Sequence, residues 1–164
     1  MKAAHGFTYL TVLIFVAIIA ITSTATVQVV SLHERREKEE ELLDIGMQFR
    51  NALLSYADAT PAGQLQRAPK TLEDLLKDPR YPTSLRHLRK IYYDPLTGKK
   101  EWQTVLSPDK QGIIGIYSAA TGKPIKIANF DPLFQDFSGK TSYQDWKFVV
   151  LPTQPVMVRV PAVK

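Results

Sequence analysis

The chain has 164 residues, a formal net charge of +5 at pH 7, 45% hydrophobic residues and no cysteine. Without cysteine, neither a disulfide nor a thiolate nucleophile exists. The three histidines, His5, His33 and His87, lie far apart in sequence, and no glycine-rich phosphate loop is present. An enzyme, a metal site and a cofactor are therefore not expected.

Residues 7–32, FTYLTVLIFVAIIAITSTATVQVVSL, form an uncharged block that runs without proline or glycine into the charged stretch 33–44. As a helix the block would reach ~39 Å, against ~30 Å for a hydrocarbon core. A membrane-embedded rod is thus expected, with threonine and serine hydroxyls bonding back to the preceding turn. Its most apolar part, 12–21, has the length of a signal-peptide core, so two fates stand open. In one, cleavage near Ser23-Thr24-Ala25 releases a soluble protein starting at Thr26. In the other, the block is retained. Flanking charge, with Lys2 before the block and Arg35, Arg36 and Lys38 after it, leans towards a cytoplasmic carboxyl portion.

The first proline is Pro61, and Leu42, Ile45, Phe49, Leu53 and Tyr56 recur at steps of three and four. Leu43, Met47 and Leu54 widen that stripe. One helix is expected from 7 to 57, about 77 Å long, with its second half lying on a compact head. Gly46 costs about 1 kcal/mol inside a helix and marks a possible bend. The charged run is read as a solvated helix face.

The head starts near Thr60-Pro61-Ala62-Gly63. A short helix is expected at 72–77, capped by Thr71 with Glu73 and Asp74 in its first turn. Leu85, Leu88 and Ile91 predict a second helix over 84–93. Asp94-Pro95-Leu96-Thr97-Gly98 reads as a turn, and the Asp-Pro pairs at 78, 94 and 131 as turn formers. Strands are expected at 102–106, 113–117, 124–127 and 143–151, with an irregular tail over 152–164. The fold class is α+β: a long amino-terminal helix packed on a small antiparallel sheet. Arg86, Arg89 and Lys90, with Lys99 and Lys100, form a possible basic patch, read here as a soluble basic surface rather than a nucleic-acid site.

The stretch Gly6-Phe7-Thr8-Tyr9-Leu10, followed by the aliphatic run 12–21, resembles the amino terminus of type IV pilins and type II secretion pseudopilins. The Leu-Glu-Asp-Leu-Leu segment at 72–76, the Asp-Pro-Leu-Thr-Gly turn, Trp102 and a strand pair resemble the major pseudopilin branch. The resemblance implies cleavage between Gly6 and Phe7 by a prepilin peptidase, methylation of Phe7, and a retained assembly helix carrying Leu10, Thr11, Leu13, Ile14, Val16 and Ile18. It implies a leader at 1–6, an assembly helix at 7–32, an amphipathic stem at 33–59, a head at 60–151 and a tail at 152–164. Its implied location is the bacterial inner membrane, single-pass with the head in the periplasm, opposite to the charge-based orientation. Implied partners are other pseudopilin subunits, as homo- and heteropolymers, the prepilin peptidase and an inner-membrane assembly platform. The implied function is a non-enzymatic subunit of a protein-exporting pseudopilus; a minor type IV pilin and a signal-cleaved periplasmic protein are the alternatives. Two departures stand out. Thr11 occupies the place of the usual Glu, and Gln28 that of a helix-kinking proline. Asp131, Asp136 and Asp145 lack the dense spacing of the calcium loop found in many major pseudopilins, so no metal is expected.

Overall fold

The computed structural model describes residues 5–60 and 67–150, and only the backbone at 5–7 and 20–30. Helix α1 runs from His5 to Asp58 without interruption, because no proline interrupts its backbone ladder before residue 61. Its last turn closes on Ser55 and Ala57: Ala59 N–H donates to the Ser55 carbonyl at 3.0 Å, and the Thr60 hydroxyl to the Ala57 carbonyl at 2.7 Å.

The expected stripe is buried. Leu42, Ile45, Phe49, Leu53 and Tyr56 all lie in one core with Trp102, Ile113, Ile116, Phe134, Phe137, Trp146 and Phe148, while Leu43, Met47 and Leu54 pack at its margin. Each such side chain taken out of water contributes about 1.5–3 kcal/mol. The stripe covers a three-stranded antiparallel sheet, β1 (Gln103–Leu106), β2 (Ile113–Tyr117) and β3 (Phe148–Val149), ordered β1-β2-β3. Gln103 pairs with Tyr117 and Ile116 with Phe148, and a register shift falls between Val105 and Leu106. Beyond β3 the aromatics interlock: Phe137 stacks on Trp146 at 5.6 Å and meets Phe148 edge-on at 5.2 Å. The buried Trp146 indole N–H has no hydrogen-bond partner among the described residues.

Gly46 sits inside α1 for want of room. A Cβ there would lie 2.2 Å from Phe148 Cε1. The glycine lets β3 rest directly on helix backbone, so close approach, not a bend, explains it.

Several local expectations give way to tertiary bonding. Residues 84–93 are not helical; His87 and Leu88 both donate to the Leu75 carbonyl, and Leu85 accepts from Asp78 N–H. The 72–77 helix contracts to a 3-10 turn, Glu73–Leu75, and Thr71 does not cap it. Instead Asp74 reaches back to accept from the N–H groups of Lys70 and Thr71. Residues 124–127 make no strand, and the last strand shortens because Tyr143–Asp145 forms a 3-10 turn. The tail at 152–164, the Pro61-Ala62-Gly63 segment and most of the leader lie outside the described residues.

The expected location requires correction. Among the described residues no helix is long and apolar enough to cross a membrane, which overturns the single-pass inner-membrane assignment and the membrane-embedded first half of the stem. The uninterrupted apolar run is only 12–21, after which Thr22, Ser23, Thr24, Thr26 and Gln28 dilute it. Ten helical residues rise about 15 Å, half the ~30 Å a hydrocarbon core requires.

Gly46→Ala is expected to cost about 1–3 kcal/mol by overpacking against Phe148. Thermal unfolding of the full chain followed by circular dichroism checks this, and Phe148→Leu in the same chain should recover part of the loss.

Candidate functional site

Three regions carry the candidate residues: the free end of α1, the joint between α1 and the head, and the cationic ribbon after residue 84. At the free end the apolar side chains face outward on every side. Tyr9 is 72% exposed, Phe15 63% and Ile19 62%, while Leu10, Val12, Leu13, Ile14, Val16 and Ile18 lie between 50% and 56% or at 60%. Thr11 is half-buried. Gly6 and Phe7 fall inside the helix near its amino end.

The joint is held by a buried acid that the sequence reading placed on a solvated face. Glu39 is 2% exposed. Its carboxylate accepts from Ile125 N–H at 2.6 Å, Lys126 N–H at 2.9 Å and the Tyr143 hydroxyl at 2.6 Å. Arg35, one turn earlier, donates to the Lys123 carbonyl at 3.1 Å. This explains why 124–127 is no strand: the N–H groups of Ile125 and Lys126 are spent on the stem, and Pro124 has none to offer. Burial, reinforced by the bond to Glu39, pushes the Tyr143 phenol up to about 12. A signal for Glu39 existed, since 39, 42, 46, 49, 53 and 56 continue one helical stripe.

The other end of the joint centres on Asp78, whose side chain is fully buried. Arg80 grips it twice, Nε to Oδ1 at 2.9 Å and Nη2 to Oδ2 at 2.6 Å, and also donates to the Tyr56 carbonyl at 2.6 Å. The guanidinium lies 3.8 Å from the Tyr56 ring centre. His87 Nε2 sits 3.3 Å from Asp78 Oδ2, and His87 Nδ1 is 2.8 Å from Ser55 Oγ. Tyr81 donates its hydroxyl proton to the Ala59 carbonyl. Burial disfavours the Asp78 charge, but the hydrogen bonds from Arg80 and His87 and the Arg80 charge outweigh it, bringing its pKa to about 2.

Ser55, His87 and Asp78 thus stand in a nucleophile-base-acid line, which the dispersed histidines gave no reason to expect. Among the described residues the surroundings do not complete such a centre. Ser55 lies within α1, where backbone N–H groups serve the helix ladder, and an oxyanion needs free donors. Asp78 is already committed to Arg80. The arrangement's evident work is to tie the end of α1 to the segment 78–88.

The Asp-Pro pairs act as turn formers. Asp78, Asp94 and Asp131 each accept, through Oδ1, the N–H two residues on, from Arg80, Leu96 and Leu133. Asp94, fully buried, also accepts from the Ser118 hydroxyl at 2.6 Å. Arg86, Arg89 and Lys90 are exposed on irregular chain, and across the 94–98 turn Asp94 N–H donates to the Lys99 carbonyl. Among the described residues no group of three His, Asp or Glu side chains is placed to hold a metal ion. A groove of about 600 Å³, lined by Leu53, Ala57, Pro69, Ile113 and Val150 with Arg67 and Lys70, lies beside the end of α1.

No protein-family model, curated protein or solved structure matches this chain.

Glu39→Ala leaves three donors unpaired at a buried joint, each costing about 1–3 kcal/mol. A loss of at least about 3 kcal/mol in urea unfolding is expected, while exposed Glu40→Ala stays within about 0.5 kcal/mol.

Because the Asp78 pKa is depressed in the folded chain, its stabilisation is present above the ordinary carboxylate range and fades as pH falls through about 2. It amounts to about 2 kcal/mol at neutral pH. Urea midpoints should therefore fall between about pH 4 and pH 2 in the natural chain. Asp78→Asn should lose stability at neutral pH and show a shallower fall in that window.

Proposed function

We propose that this chain is a non-enzymatic structural subunit of a type II secretion pseudopilus, or of a similar pilin-like filament, and that it polymerises through the free end of α1. The observation that carries this reading is the exposed apolar sheath from Tyr9 to Ile19. A contiguous apolar surface of this kind marks an association site, and a helix apolar on every side calls for partners on every side. Equivalent segments of neighbouring copies meet that requirement together, forming a central bundle with the heads outside.

The resemblance at Gly6 and Phe7 supplies the maturation step. Removal of 1–6 exposes the amino group of Phe7 at the tip of the helix. In most members of the family an acid at the Thr11 position attracts that amine on a neighbouring copy. Thr11 offers an oxygen acceptor without the charge, so the contact here is weaker, and packing among Leu10, Leu13, Ile14, Val16 and Ile18 carries more of the association. Growth of such a bundle would move its tip outward and push exported protein ahead of it.

The amino terminus of the protein isolated from cells is expected to be N-methylated Phe7 by mass spectrometry. A mature chain starting at Thr26 would have lost the sheath and would overturn the proposal. The absence of cysteine makes a second check clean: Val16→Cys should give oxidised dimers between copies, whereas Asn51→Cys, on the exposed side of the head-bound half, should not.

A further inference from the structure

We propose that Ser55 is an acyl-accepting site: its hydroxyl takes an acyl group from an activated carboxylic ester or thioester, with His87 as the base that removes the hydroxyl proton. The site lies at the head end of α1, and its chemistry does not depend on polymerisation.

The hydrogen bonds fix which group can act as base. Asp78 is ionised at neutral pH and so can only accept. The 3.3 Å contact between His87 Nε2 and Asp78 Oδ2 therefore places a proton on Nε2. In the neutral ring that leaves Nδ1 as the acceptor. Nδ1 takes the Ser55 hydroxyl proton at 2.8 Å, within the reach a general base needs.

Burial distinguishes the two ends of the line. The imidazole side chain is 2% exposed. Tyr56 meets its ring edge-on at 5.3 Å, and the His87 backbone N–H donates to the Leu75 carbonyl at 2.9 Å. Ser55, by contrast, is exposed. With its proton turned inward to Nδ1, the oxygen has lone pairs available to a reagent arriving from solvent. An accessible hydroxyl bonded to an imidazole that a third group orients is the arrangement that activates a serine.

In the step, the Ser55 oxygen bonds to the acyl carbon as its proton passes to Nδ1. The bond from that carbon to the leaving oxygen or sulfur breaks, the leaving atom keeps the electron pair, and the proton on Nδ1 goes to it. The products are an ester at Ser55 and a free alcohol or thiol, with His87 neutral again. Asp78 stabilises the imidazolium that forms in between, and Arg80, gripping the same carboxylate, limits that help. Backbone N–H groups around Ser55 serve the α1 ladder rather than an oxyanion. The transfer is therefore slow, and hydrolysis of the ester is no better assisted, so the acyl group stays.

The test incubates the full chain with p-nitrophenyl acetate and maps acetyl groups by peptide mass spectrometry. Ser84, also exposed, is the reference within the same chain. Acetylation at Ser55 is expected at least about tenfold faster than at Ser84, the low end of what a general base supplies. In His87→Gln the two rates should come within about twofold of each other. Equal rates in the natural chain, or a ratio that His87→Gln leaves unchanged, overturn the proposal. His87 also ties α1 to the head, so a second measurement uses the natural chain alone. The rate at Ser55 should level off as pH rises, because a neutral imidazole has no further proton to lose. The charged or titratable groups facing His87 are Asp78, Arg80 and Tyr56. Asp78 and Arg80 stay charged and the buried Tyr56 phenol stays neutral up to about pH 9, so the plateau reports the imidazole. A hydroxyl without a base instead gains about tenfold per pH unit, and a rise of that size overturns the proposal.

Discussion

The contact between the Phe148 ring and the bare backbone at Gly46 sets how closely the sheet approaches α1, and the rest of the head is arranged around that spacing. Phe148 is also the edge partner of Phe134 and Phe137, at 5.4 and 5.2 Å. One ring thus joins the helix backbone to the aromatic layer beneath the sheet. With that distance fixed, Leu42, Ile45 and Phe49 are buried in the core with the sheet, and the loop at 123–126 comes close enough for Glu39 to bind it. The order of dependence matters. Apolar contact brings the surfaces together, and only then do buried polar groups find partners good enough to offset their lost hydration.

Two polar clusters then fasten the stem at separate heights. Glu39 holds the amino-terminal side of the joint, and Asp78 with Arg80 holds the end of α1. Both are built from a buried carboxylate with several donors, so both are unforgiving of a missing partner. The Ser55-His87-Asp78 line belongs to this second fastening. Its resemblance to a catalytic triad is one of residue type and distance.

Periodicity made much of the fold legible. Leu42, Ile45, Phe49, Leu53 and Tyr56 announced the buried face, and the pairing of β1 with β2 followed from two short apolar runs around Ser107-Pro108-Asp109. The Asp-Pro turns were legible because an aspartate hydrogen-bonding two residues ahead is a local property. What escaped depended on distance along the chain. Leu85, Leu88 and Ile91 are spaced for a helix, yet the backbone there serves Leu75 and Asp78 instead, and tertiary bonds override a weak local preference. Glu39 continued the buried stripe in plain view, but its donors stand 86 to 104 residues away. His87 met Ser55 and Asp78 for the same reason. The membrane expectation failed differently: the total length of an uncharged block was counted where the length of its unbroken apolar part decides.

The continuity of α1 through the joint has a mechanical consequence. With 54 residues in one helix, about 81 Å long, the free tip and the head are two ends of a single lever. A tilt of about 5° at the tip displaces the far end by about 7 Å over that length, more than one full turn of helix. In the proposed filament, small differences in how sister tips nestle together would therefore be magnified into large changes in where the heads stand. Helical pitch in any such assembly would be governed by seating angles at its axis, and a single bulky or missing methyl near the tip would be felt at the outer wall.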